Sequence, residues 1–411
     1  MKFIDLSDDT FRQVIVDKED GAYLGHVSAV MLDDQQTIFA AYPRSHGRGT
    51  VILKRSDDGG LTWSERLNVP ESWHTSLEVP TLFMTKSADG KPLLLMVTGL
   101  YPIRMSVSKD KGLSWSELNP IGDFGGNVSF SDMIQLQDGA YMAFFHDDGR
   151  YIKGGDDFKF VVEKSVSKQD ECKIDIYKQQ KDLSGHWGEP HLAIQCNANI
   201  DPSVRWISNK VIYESYSAKK SNEYRAKIYG TVSRDGGLTW GNPVEIICHE
   251  TAFLAEAAAI RSPDGSQIAL LMRENTRAFN SFISLTNNEG KTWSVPAVVS
   301  DELTGDRHCL KYLNDGRVVA CFRDRHKDSP YYGDWVMWIG TYDEMVTGKR
   351  GQYKIRLKQN FSEDFGDCGY SGLLVLPDDT IVAITYGGWT KGEKPYILSV
   401  RLKMKEFEDG H

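Results

Sequence analysis

One eight-residue pattern occurs four times in this chain. It reads Ser56-Asp-Asp-Gly-Gly-Leu-Thr-Trp63, Ser108-Lys-Asp-Lys-Gly-Leu-Ser-Trp115, Ser233-Arg-Asp-Gly-Gly-Leu-Thr-Trp240 and Thr286-Asn-Asn-Glu-Gly-Lys-Thr-Trp293, or S/T-x-D/N-x-G-x-T/S-W in consensus. A repeated local pattern means a repeated supersecondary unit, and this constrains the fold more than composition does. The physics of each copy is local. A short acidic or amide side chain accepts hydrogen bonds from the amides of its own turn. The glycine supplies a positive φ, and the tryptophan folds back as an apolar cap. These turns are architectural and are not expected to touch a ligand.

A second repeat runs out of phase with the first. Tight-turn pairs stand between apolar runs at Asp33-Asp34, Asp89-Gly90, Asp138-Gly139, Asp264-Gly265, Asp315-Gly316 and Asp378-Asp379. Such pairs between alternating runs signal hairpins. Each unit therefore reads strand, hairpin, strand, strand, tryptophan turn, strand. Four antiparallel strands in about 50 residues describe a propeller blade. The content of 37 Gly, 10 Trp, 18 Tyr and 17 Phe fits many short strands and tight turns. The expected fold is all-β, a six-bladed β-propeller spanning 1–411 as a single domain. The long gap between the third and fourth hairpins is read as an insertion at about 154–222 inside the third blade; a seventh blade there is the alternative. The strand at Phe11–Val16 is expected to pair with the last blade, because a ring must satisfy its edges.

Acids outnumber bases for a net charge of −9, which argues against nucleic-acid binding. The longest apolar run, Leu93–Val97, is far too short to span a membrane. The first twenty residues lack a signal-peptide core, so the expected location is cytoplasmic, or secreted or periplasmic if a leader has been removed. The six cysteines form no CxxC pair, and no HExxH or EF-hand pattern appears. Free thiols, no metal and no cofactor are therefore expected.

In a propeller, the starts of the first strands and the ends of the second strands share one mouth. Residues about eight before each hairpin give His26, the 78–81 region, the 130–132 region, Glu256, Arg307 and Tyr370. Residues eight to ten after it give Arg44, Gly99, the 146–148 region, Arg273, Arg323 and Tyr386. Periodicity thus gathers guanidiniums, carboxylates and phenols into one ring, which predicts a polar, anion-binding pocket. Converging arginines hold a carboxylate in fork geometry. Glu256 lies in an apolar stretch, Phe253-Leu-Ala-Glu-Ala-Ala-Ala-Ile260, where a carboxylate needs partners or a function.

These residues resemble the sialidase (neuraminidase) superfamily of six-bladed propellers. The four tryptophan turns resemble its Asp-boxes (BNR repeats). The order Glu256, Arg273, then Gly369-Tyr370-Ser371 resembles its catalytic set. The resemblance implies a tyrosine nucleophile at Tyr370, its base partner at Glu256 and an arginine clamp for a substrate carboxylate. It implies a retaining exo-glycosidase for terminal sialic acid or a related 2-keto-3-deoxy sugar acid such as Kdo or KDN. A neutral phenol suits such a substrate, because an anionic nucleophile would be repelled by the carboxylate on the anomeric carbon. The chain departs from the family in three places. No arginine stands near Gly333-Asp334, where the family's third would fall. His26 stands where the family opens its first blade with an arginine, and the loop Tyr42-Pro-Arg-Ser-His-Gly-Arg-Gly49 holds no aspartate to serve as acid/base. His46 or Asp148 is expected in the acid/base role, and Arg44, Arg48, Arg307 and Arg323, with Arg273, in carboxylate binding. The alternatives are a glycan-binding propeller without catalysis, and a lyase or other polysaccharide-active propeller.

Overall fold

The computed structural model describes residues 1–47, 49–76, 78–99, 103–122, 124, 129–147, 227–362 and 366–408, with the backbone of three further strands, Phe158–Val166, Cys172–Gln180 and His191–Ala198. It is a six-bladed β-propeller. The first blade holds Ser28–Met31, Ile38–Pro43 and Val51–Ser56, and the second holds Pro80–Lys86, Pro92–Thr98, Arg104–Ser108 and Asn119–Pro120. The third joins Asp132–Gln135, Tyr141–Asp147, Lys227–Ser233 and Val244–Cys248. The fourth holds Leu254–Arg261, Ile268–Glu274, Phe282–Thr286 and Ala297–Val298. The fifth holds Gly305–Tyr312, Val318–Asp324, Trp335–Gly340 and Tyr353–Lys358, and the sixth holds Gly372–Val375, Ile381–Gly387 and Tyr396–Leu402. All six hairpin turns read from the sequence join the first and second strands of a blade. In the third blade, the second and third strands are separated in the chain by the three-stranded sheet of Phe158–Val166, Cys172–Gln180 and His191–Ala198.

The ring closes through its N-terminus. Gln13–Asp17 pairs antiparallel with Tyr396–Leu402 and supplies the outer strand of the sixth blade. Lys2–Asp5 adds a fifth strand to the fifth blade, parallel to Tyr353–Lys358, an addition the sequence pattern does not signal.

The second strand of each blade is apolar on both faces because both are covered. Alternate side chains go to opposite seams. Leu94 and Met96 pack toward the first blade, while Leu93, Leu95 and Val97 pack toward the third. Val382 and Ile384 face the first blade, and Ile381 and Ala383 the fifth. The buried apolar residues accordingly divide into six clusters, one per seam between neighbouring blades.

The four tryptophan turns share one hydrogen-bond pattern. Ser56 Oγ donates to Asp58 and accepts from Gly60 N, both at 2.8 Å, while Thr62 N donates to Asp58 at 2.9 Å. Ser108–Asp110–Gly112–Ser114, Ser233–Asp235–Gly237–Thr239 and Thr286–Asn288–Gly290–Thr292 repeat it. The glycine also faces the preceding blade. A Cβ on Gly112, at φ +84°, would lie 2.4 Å from the Phe39 ring of the first blade. Gly112→Ala should therefore cost about 2–4 kcal/mol, combining left-handed strain with overpacking. Gly139→Ala has a similar φ of +86° but nothing within 4 Å among the described residues, so it should cost only about 1–2 kcal/mol. Denaturant midpoints of the two variants measure the difference.

Candidate active site

Counting back eight residues from Asp34, Asp89, Asp138, Asp264, Asp315 and Asp378 gives His26, Thr81, Phe130, Glu256, Arg307 and Tyr370. The first strands of the blades meet around the axis, so these six positions lie at equal phase in the ring. Three of them carry a left-handed backbone: His26 at φ 50°, Glu256 at φ 49° and Arg307 at φ 54°. For a non-glycine residue this conformation costs about 1–3 kcal/mol and is concentrated at functional sites. At Glu256 and Arg307 it coincides with a register shift in the ladder, between Ala255 and Ala258 and between Asp306 and Cys309. A bulge of this kind re-aims a side chain.

The axis holds a phenol–carboxylate pair. Tyr370 donates its hydroxyl hydrogen to Glu256, and Arg273 Nη1 holds the other Glu256 oxygen at 2.9 Å. Tyr370 is 8% exposed and Glu256 4% exposed. Burial pushes the Glu256 carboxyl up, but the guanidiniums of Arg273 and Arg307 outweigh it and hold the group at about 2. Burial, followed by the adjacent Glu256 charge, raises the Tyr370 phenol well above its ordinary range. The pair therefore rests as carboxylate and neutral phenol. Arg307 lies over the Tyr370 ring, 5.4 Å from its centre, and His146 Nδ1 accepts from Glu256 N at 3.4 Å.

A second centre lies on the other side of His26, whose ring packs edge-on against Tyr370 at 4.4 Å and against His46 at 4.5 Å. His46 Nδ1 is 2.7 Å from Asp367. Asp367 also accepts from Tyr23, from Tyr386 at 2.7 Å and from Arg323 Nη1 at 2.7 Å. Burial would lower the His46 pKa, but the hydrogen bond to Asp367 raises it overall. Burial raises the Asp367 carboxyl, and His46, His26 and Arg323 together bring it well below the usual range. Half of the His46 side chain is exposed, so this pair faces solvent. The segment carrying Asp367 and Tyr370 sits tightly on the fifth blade: a Cβ on Gly369, at φ +92°, would come within 2.7 Å of Arg323 Cβ.

The arginines converge on a protein carboxylate. Asp306, fully buried, binds Arg273 at 3.1 Å, Arg323 at 2.8 Å, Arg325 at 2.9 Å and Arg277 through both terminal nitrogens. Burial opposes its ionisation, yet the four guanidiniums hold the carboxyl well below its ordinary range.

The structure thus gathers Tyr370, Glu256, His46, His26, Arg273, Arg307 and Arg323 into one cup. Arg44 is not gathered with them; its guanidinium forks onto Glu19, with Nε at 3.0 Å, beside Arg66. Its side chain reaches back to an acidic residue of the preceding loop. Arg48 and Asp148 lie outside the described residues. The sequence reading missed Asp306, Asp367, Tyr23, Arg277 and Arg325. Their signal is adjacency to phased residues: Asp306 directly precedes Arg307, while Asp367 and Tyr23 each stand three residues before Tyr370 and His26.

No family model matches the chain, and no curated protein matches it in sequence. Solved structures do match in fold. A protein of unknown function from Dyadobacter fermentans DSM 18053 superposes with a TM-score of 0.61 at 15% identity, over 95% of this chain and 98% of that one. A Trypanosoma rangeli sialidase in complex with sialic acid gives 0.46 at 12% identity, over 92% of this chain and 54% of that one. An ulvan lyase of polysaccharide lyase family PL25 gives 0.42 at 11% identity, over 97% and 99%. At these identities the likeness is one of fold.

Removing the Asp306 charge leaves four guanidiniums facing one another in the interior. Asp306→Asn should destabilise the protein by about 3–5 kcal/mol, as for a buried ion network that loses one partner. Chemical denaturation of the variant against wild type tests this; a change below about 1 kcal/mol would show that the network is not tied to stability.

Proposed function

We propose that the cup is the active site of a retaining exo-glycosidase that removes a terminal 2-keto-3-deoxy sugar acid of the sialic acid, Kdo or KDN type. The observation that carries this reading is the Tyr370–Glu256 pair: a neutral phenol at the axis, hydrogen-bonded to a carboxylate held ionised by arginine. The resemblance to sialidases at Glu256, Arg273 and Tyr370 supports the same assignment. So does the charge of the cup. Arg273, Arg307 and Arg323 stand beside the Glu256, Asp306 and Asp367 carboxylates, and the raised pKa of His46 favours a further positive charge.

In the first step the Tyr370 oxygen attacks the anomeric carbon and its proton passes to Glu256. The bond to the leaving oxygen breaks, and His46 protonates that oxygen. The product is a glycosyl-tyrosine. In the second step neutral His46 takes a proton from water, the water oxygen bonds to the anomeric carbon, and Tyr370 leaves and recovers its proton from Glu256. Asp367 orients His46 and stabilises its protonated form, as a carboxylate behind an imidazole does in other active sites. Asp306 has a positioning role. It holds Arg273 and Arg323 with their charge partly offset, which leaves Arg307, not bound to Asp306, as a direct donor for the substrate carboxylate.

A second reading is favoured by the His46–Asp367 pair with Tyr23: proton abstraction beside the carboxylate of a uronic acid, followed by β-elimination. It yields an unsaturated sugar with a new ultraviolet absorbance, whereas hydrolysis yields none.

Two variants test the hydrolysis reading. Tyr370→Phe should lose at least about a thousandfold in kcat on aryl glycosides of sialic acid, KDN or Kdo. Full activity in that variant would remove the proposed nucleophile. His46→Ala should lose about 10²–10⁴-fold on substrates with poor leaving groups and far less with an activated aryl group, which needs no proton. An equal loss on both would remove His46 from the acid role.

A further inference from the structure

In the same cup, His46 and Asp367 stand with a third group, His26, that the hydrolysis reading leaves without a role. His26, His46 and Asp367 each offer a ligand atom, and the three atoms lie within 4.8 Å of one another. We infer that His26, His46 and Asp367 form a seat for a divalent transition-metal ion. Two imidazoles and one carboxylate are a donor set suited to zinc and its first-row neighbours, with remaining coordination positions open to water or substrate.

The hydrogen bonds around His26 support the seat. Tyr386 has one hydroxyl hydrogen, and it is donated to Asp367 at 2.7 Å. Toward His26 Nε2, 3.2 Å away, the Tyr386 oxygen must therefore accept, so Nε2 carries the imidazole hydrogen. Nδ1 is left with a lone pair. That nitrogen is buried, has no hydrogen-bond partner among the described residues, and belongs to a residue only 4% exposed. A buried acceptor without a donor is costly, and an ion bound at Nδ1 would supply what is missing. The outer partners are also in place. A metal-bound imidazole usually donates its second N–H to an oxygen, as His26 does to Tyr386. Asp367 keeps Arg323 and Tyr386 on Oδ1, while Oδ2, the oxygen nearest His46, accepts from Tyr23 and has a second lone pair to serve as the ligand.

Seating the ion exchanges the proton between His46 and Asp367 for metal. The pair now stands at 2.7 Å. Metal–ligand bonds of about 2.0–2.2 Å require it to open by about half an ångström. His46 is at the solvent-facing side, so the ion has an entry path. Glu78 acts on the same imidazole and offsets part of the added charge. The seat stands on geometry alone and does not depend on the hydrolysis reading. If that reading holds, an ion here occupies the acid/base and inhibits.

Cobalt(II) titrated into the full-length protein tests the seat by its visible absorption. One equivalent should bind with the intense bands of a four- or five-coordinate site, and zinc should displace it. His26→Ala and His46→Ala should each weaken that binding at least tenfold, whereas His249→Ala, at a half-buried histidine packed on Phe282, should leave it unchanged. Tyr386→Phe should weaken it by about 10–100-fold through loss of the outer partner. Should His26→Ala fail to fold, as judged by circular dichroism, the exposed His46→Ala variant decides. No absorbing complex with wild type, or an undiminished one in His46→Ala, overturns the inference. Neither readout requires turnover, so failure of the glycosidase assay and failure of the metal seat are separable.

Discussion

Closure of the ring is the constraint on which everything else rests. Every blade is apolar on both faces, so a blade without two neighbours would expose one side of its middle strand to water. The chain meets this requirement by returning its N-terminal segment, Gln13–Asp17, to the outer edge of the blade that its C-terminal segment completes. That pairing also covers the edge of the Tyr396–Leu402 strand, which would otherwise present unpaired backbone groups. Only in a closed ring do the six first strands meet at an axis and bring His26, Glu256, Arg307 and Tyr370 together from four different blades.

Within the ring, the cup is separated from the scaffold by the backbone itself. Regular ladders build the blades, and the ladder is interrupted where side chains must be turned to the cup, at Glu256 and Arg307. The charges gathered there would repel one another without internal neutralisation. Asp306 binds four guanidiniums and Asp367 binds one guanidinium, one imidazole and two phenols. Buried carboxylates thus serve as hubs, each gathering groups from several elements of the chain. His46 has one face on Asp367 and the other in solvent.

Much of this was legible in the sequence because repeats encode phase. The hairpin turns fixed the blade count, and counting from them selected Glu256, Tyr370, His26, Arg273, Arg307 and Arg323 without any tertiary information. What escaped were residues whose role depends on direction and not on position along the repeat. Arg44 has the right phase, but its side chain turns to Glu19. Asp306 and Asp367 sit beside phased residues and reach inward only because the backbone bulges or the loop presses on its neighbour at Gly369. The parallel strand Lys2–Asp5 has no partner signal of its own, since pairing to an outer edge asks for little beyond an extended chain.

The tryptophan turns give the ring a sense of rotation, because each presses on the blade before it. For the first blade, the blade before it is the last: Gly60 stands against Val382, and Arg401 donates to the carbonyl of Gly59, 342 residues away in sequence. That seam has the longest loop to close, and the entropy of closing it grows with the logarithm of chain length. Contacts of such separation slow folding. Five seams are able to form as neighbouring blades emerge in order, while the sixth waits for the whole chain. The rate-limiting event in folding this propeller is therefore expected to be the meeting of its first and last blades.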